Sequence, residues 1–112
     1  MGAIRYATST TTDEEYGGMI GMYKKISSNI TDVSMNVPMG NLYFNDVSID
    51  ISSLGLSDAP TEVFVSYITT GSGVTPVSIV VLTSTATSVT VRLIRPDNDK
   101  KATGKITLLI LG

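Results

Sequence analysis

The stretch "VTVRLIRPDNDKKATGKITLLILG", residues 89–112, decides the fold class. Val89, Val91 and Leu93 alternate with Thr90 and Arg92. Further on, Ile106, Leu108 and Ile110 share one face, and Leu109 and Leu111 take the other. Apolar residues at period two mark strands rather than helices. Between the two runs lies "RPDNDKK". Its proline fixes φ, and Asp97, Asn98 and Asp99 are residues that bond locally to turn backbone. Arg95 precedes the proline and is held in extended geometry. The stretch therefore predicts strand, tight polar loop, strand. The second strand is apolar on both sides: one face can fill a core, and the other needs a cover.

Upstream the same period recurs. Val33, Met35 and Val37 alternate with Ser34 and Asn36, and Val47, Ile49 and Ile51 alternate with Ser48 and Asp50. Leu42 and Phe44 also alternate, but the step from Phe44 to Val47 breaks the parity. A bulge or short turn at Asn45-Asp46 would return the apolar side to the core. "SSLGLSDAP" reads as a loop whose Leu54 and Leu56 plug the end of the core, punctuated by Gly55 and Pro60. Then Val63, Val65 and Tyr67 line one face of a strand and Phe64 and Ile68 the other, which predicts burial on both. The β-branched run around Val80 favours a further strand. No window shows helical spacing. The expected fold is an all-β antiparallel sandwich of six or seven strands, Greek-key or jelly-roll-like. It occupies residues 19–112. Residues 1–18, with "TSTTTDEEYGG", form a lead-in that is flexible or docked on a partner.

Composition narrows function. The 112 residues suit one domain. Only 16% are charged, and 28 are Ser or Thr, so the surface is made of hydroxyls more than of charges. Net charge is −2 with no basic cluster, which argues against a nucleic-acid partner. No apolar run approaches the length of a membrane-spanning helix, so no membrane insertion is expected. The first residues lack the charged-then-apolar pattern of a signal peptide. The chain has no cysteine and no histidine, which removes thiol nucleophiles, imidazole bases and His-ligated metals. The acids Asp46 and Asp50 can share a strand face, but nothing marks a cleft between them, as glycoside hydrolysis needs. No enzyme activity and no cofactor are expected. Asp97, Asn98 and Asp99 offer hard oxygens, but a calcium site needs six or more, and a turn explains them more simply, so no metal is expected.

From Glu62 to Arg92 no charged residue occurs: residues 63–91 are neutral. They include "VSIVVL", a window that aggregates when exposed. Lone sandwiches guard their edges with charge. Either these strands are central and covered within the chain, or other subunits cover them. Together with the double-faced last strand, this predicts a homo-oligomer.

"PTEVFVSYIT" followed by "VSIVVLTSTATSVTVRLIRPDNDKKATGKITLLILG" resembles the carboxy-terminal module of bacteriophage tail-fibre and receptor-binding proteins. That module in turn resembles the H-type lectin fold, a small antiparallel sandwich that trimerises. The shared habits are a P-x-V-x-V strand, a "TSVTVRL" strand, a polar loop and an apolar last strand ending in glycine. Such modules often end in W-x-A-x-G, whereas this chain has Leu108, Leu109, Ile110, Leu111 and Gly112 and no tryptophan. The fold therefore carries over better than sugar binding.

The resemblance implies a homotrimer with Leu109 and Leu111 packed on symmetry mates. It implies a virion protein of the tail fibre or tail tip, present in the host cytoplasm during assembly, with other tail or capsid proteins as partners. The implied task is attachment to the host surface, through a glycan, by the exposed turn residues Ser72, Thr85, Asp97 and Asn98. Tyr43 and Tyr67 are possible aromatic contacts. Two alternatives stand beside it: a virion component without a receptor, and a carbohydrate-binding module of a larger enzyme.

Overall fold

The structure, a computed structural model, describes residues 23–112. The lead-in expected over residues 1–18, and the start of the domain expected at residue 19, lie outside the described residues. The described residues form seven strands: β1 Tyr23–Met35, β2 Val37–Met39, β3 Leu42–Asp50, β4 Glu62–Thr69, β5 Ser78–Ser84, β6 Ser88–Arg95 and β7 Lys100–Leu111. A single 3-10 turn, Ser52–Leu54, follows β3 and ends at Gly55, whose φ of 68° suits glycine. The strands make two antiparallel sheets, β1-β7-β4 and β2-β3-β6-β5. β4 lies over β5, and β1 over β3 and β6. This is the β-sandwich that the alternation predicts.

Each sheet buries one face. From β7 come Ala102, Ile106, Leu108 and Ile110; from β6 come Val89, Val91 and Leu93; Met35, Ile49 and Ile51 complete the centre. Leu54 and Leu56 pack against it from the loop after β3. Antiparallel neighbours share a face at each register position. Ile26, Leu108 and Val65 are thus inward across β1, β7 and β4, and Lys25, Leu109 and Phe64 are outward.

Gly104, on the inner face of β7, is a close approach. A Cβ there would run into the Ile68 carbonyl oxygen and sit 2.6 Å from the Tyr67 hydroxyl oxygen. The absence of a side chain lets the Tyr67 ring lie across the strand.

Two expectations need correction. β3 has no bulge at Asn45-Asp46: its register with β6 runs unbroken from Tyr43 to Asp50. Parity is kept by turning Phe44 outward under the Arg92 guanidinium, 3.7 Å from its ring centroid. Asn45 turns inward, and its Nδ2 donates to the Ser34 carbonyl at 2.7 Å. The irregularity lies instead in β1, between Ile30 and Val33, where Asp32 has φ 49°. Also, Phe64 and Ile68 are not covered by the described residues: they are 51% and 61% exposed. A two-layer sandwich has only one inside for each sheet, so a strand apolar on both sides must show one of them.

Candidate functional site

The topology gives the sandwich two ends. At one lie Tyr23, Glu62 and Leu111, which share a row across β1, β7 and β4. The other carries the β4–β5 loop, the β2–β3 turn and the β6–β7 loop, because β4 and β6 run towards it and β7 starts from it.

Arg95 organises this second end. Its Nε donates to Asp97 Oδ1 at 2.7 Å and its Nη2 to Asp97 Oδ2 at 3.1 Å. Its Nη1 donates to the Thr75 carbonyl. One planar guanidinium therefore ties the loop after β4 to the loop after β6. The Arg95 hydrogen bond holds the Asp97 carboxyl below the usual carboxylate range, with burial opposing it. Asp99 adopts φ 60°, and its N–H donates to the Met35 carbonyl at 3.0 Å. The β4–β5 loop is pinned to the start of β7 by Thr70 N–H to Thr103 O and Val74 N–H to Lys101 O, both 2.9 Å. The Thr69 and Thr75 hydroxyls meet at 2.6 Å.

Ser72 and Asn98 are exposed at this end, and Asp97 is partly exposed beside them. The structure thus brings three of the four turn residues to one end. Thr85 is elsewhere: it sits in the β5–β6 turn, at the Tyr23 end. Its hydroxyl serves that turn, accepting from the N–H of Thr87 at 3.2 Å and of Ser88 at 3.0 Å.

The aromatic candidates are also separated. Tyr43 is half-buried, opposite Arg95 on β6 and Pro38 on β2. Tyr67 points inward, and its hydroxyl is buried without a hydrogen-bond partner among the described residues. Burial pushes its phenol pKa up. Leu109 and Leu111 do lie on the outer face of the three-stranded sheet, with Leu109 41% exposed. Phe64 and Ile68 extend that face, and the Tyr23 ring stands 5.7 Å from the Phe64 ring.

Sequence reasoning missed a second surface cluster. On the outer face of the four-stranded sheet, Arg92 spans Phe44, Asp46 and the sulfur of Met39. Asp46 and Arg92 are 46 residues apart, and only the β3–β6 register brings them together. Asp46 and Asp50 share this face with Phe44 and Ser48, and Asp50 is spent on the Ser52 N–H at 2.9 Å.

Among the described residues no group of three or more acidic side chains is placed to hold a metal ion. No helix there is long and apolar enough to cross a membrane. The exposed hydroxyl, amide and carboxylate groups at this end can form hydrogen bonds. No family model, curated protein or solved structure significantly matches the chain.

Proposed function

We propose that the chain is a non-enzymatic attachment module of a phage virion, in a tail fibre or tail tip, and works as a homotrimer. The observation that carries this reading is the apolar outer face of the three-stranded sheet, with Leu109, Leu111, Phe64 and Ile68. A face of this kind on a small sandwich suits burial against copies, since stable subunit contacts resemble a core. Three copies packed around an axis along the strands would carry their Arg95 ends to one tip. Ser72, Asp97 and Asn98 would then be presented threefold, away from the end where Tyr23 enters the fold. Weak contacts to a host-surface glycan gain from such multivalency. Other tail or capsid proteins would hold the opposite end.

A second reading, a virion component without a receptor, draws on a different observation. Asp97 and Thr85 already spend their polar atoms on the fold. The carbohydrate-module reading loses Tyr67, whose hydroxyl faces the interior.

Light scattering on the purified chain tests the assembly, and adsorption to bacterial cells and a glycan array tests the task. A mass of three chains with specific adsorption supports attachment. A trimer that adsorbs to nothing supports the receptor-free component. A monomer overturns the trimer and the tip built on it.

A further inference from the structure

Among the described residues the sandwich has four edge strands, and three of them are guarded. β1 carries Lys24 and Lys25 and is broken by the irregularity at Ile30/Val33. β2 is three residues long and contains Pro38. β5 is shifted in register between Val81 and Thr83. Charge, proline, shortness and bulges are the devices that stop an edge from pairing with another chain. Beyond its first residue, Glu62, β4 has none of them. It pairs with β7 without a break from Glu62 to Thr69, contains no proline, and carries no charge after Glu62.

The backbone parity of β4 can be read from its last bond. Thr70 N–H donates to Thr103 O, continuing the register in which Thr69 faces Gly104. In an antiparallel ladder, bonded residues alternate. The even-numbered residues of β4 therefore bond to β7, and Val63, Val65, Tyr67 and Thr69 turn their N–H and C=O groups to the open side.

We infer that β4 pairs with β4 of a second copy, antiparallel, about a twofold axis at Ser66. The open backbone groups select this register. Val63 then exchanges bonds with Thr69 of the second copy, and Val65 with Tyr67. On the outer face Phe64 stands opposite Ile68, an aromatic against a β-branched side chain, which is a favourable cross-strand pair. Glu62 falls opposite Thr70, so no like charges meet. A twofold contact must be self-complementary, and a strand neutral from residue 63 onwards meets itself without repulsion. Two three-stranded sheets become one of six strands, β1-β7-β4-β4-β7-β1. This contact runs along the edge of β4, whereas the proposed trimer packs the face of the sheet; Phe64 and Ile68 belong to both, and the pairing does not rest on the trimer.

The chain has no cysteine, so one introduced thiol reports on one contact. Ser66 is exposed and accepts the change in the folded monomer. Across the twofold axis it forms a non-bonded antiparallel pair, with Cα atoms about 4.5 Å apart. That lies within disulfide range. Under mild oxidation most of the Ser66→Cys chain is expected to become covalent dimer, while Ser48→Cys, on the other sheet, stays monomeric. Phe64→Lys/Ile68→Lys sets lysines opposite each other and abolishes the cross-link in the Ser66→Cys background. Phe64→Lys/Ile68→Glu sets opposite charges face to face and restores it. Leu109→Asp leaves the cross-link in place even where it dissolves a trimer. Equal cross-linking at Ser66 and Ser48, or none at Ser66, overturns the inference, as does a charge-swapped variant that fails to recover. An edge that takes a strand of another protein instead gives no Ser66 cross-link in the pure chain.

Discussion

Arg92 and Asp46 stand opposite each other on β6 and β3 and are joined by two hydrogen bonds, Nε to Oδ1 at 2.8 Å and Nη2 to Oδ2 at 3.0 Å. The same guanidinium lies over the Phe44 ring. The pair thus roofs an aromatic side chain that the parity of β3 turns outward. The hydrogen bond from Arg92 holds the Asp46 carboxyl below its ordinary range, and burial works against this. A carboxyl with a lowered folded-state pKa stabilises the fold above its unfolded pKa, about 3.9. That contribution is lost as pH falls through the lowered value. The Asp46→Asn chain should melt below the parent at neutral pH, and the gap should begin to shrink below about pH 4 and close once pH falls below the lowered value. Melting curves of both chains from neutral to acid pH check it. A gap that persists in acid would refute the assignment.

Tyr67 and Gly104 form a pair that should respond in opposite directions. Among the described residues the Tyr67 hydroxyl is buried and makes no well-formed hydrogen bond. Removing it as Tyr67→Phe should leave stability unchanged or raise it by about 1 kcal/mol. Gly104→Ala places a methyl group against the Ile68 carbonyl and the Tyr67 ring. Overpacking of that kind costs about 1–3 kcal/mol. Urea unfolding of the two variants separates these outcomes.

Leu108 and Leu109 are neighbours with unlike surroundings: one is fully buried, the other 41% exposed. Leu108→Ala should cost about 2–5 kcal/mol through the cavity it leaves. Leu109→Ala in the dissociated chain should change stability by no more than about 0.5 kcal/mol. Denaturation at low protein concentration measures both. On the proposed trimer face, Leu109→Asp or Leu111→Asp should reduce the mass seen by light scattering while the strand signal in circular dichroism stays.

Arg95 joins two loops that no strand ladder joins. Arg95→Ala should speed amide exchange in the β4–β5 and β6–β7 loops while β6 and β7 stay protected. Asp97 also has a lowered pKa, caused first by its hydrogen bond with Arg95. The parent loops should therefore loosen as pH falls through that value and be tightest above the ordinary carboxylate range. Hydrogen exchange at several pH values reads both effects.

Much of the fold was legible in single runs of residues. The alternation of Val89, Val91 and Leu93, and of Ile106, Leu108 and Ile110, marked strands and their buried faces, because a strand turns its side chains to opposite sides at every step. The turn over Asp97 and Asn98, the plug formed by Leu54 and Leu56, and the uncharged run over residues 63–91 were equally local. The bulge expected at Asn45-Asp46 was not there, because parity was judged from apolarity alone. Phe44 faces outward under the cover of Arg92, and Arg92 lies three strands further along the chain.

The sequence by itself determined that the chain is all-β, which residues belong to the inner faces of β6 and β7, and that residues 63–91 carry no charge. These follow from backbone period and composition, which need no partner strand to be defined. Only the tertiary structure decided that Thr85 lies at the opposite end from Ser72, Asp97 and Asn98, that Arg95 binds the two loops, and that β4 is an unguarded edge among the described residues. Those depend on strand order and register. Order and register are set by packing between residues far apart in the chain, so no local window contains them.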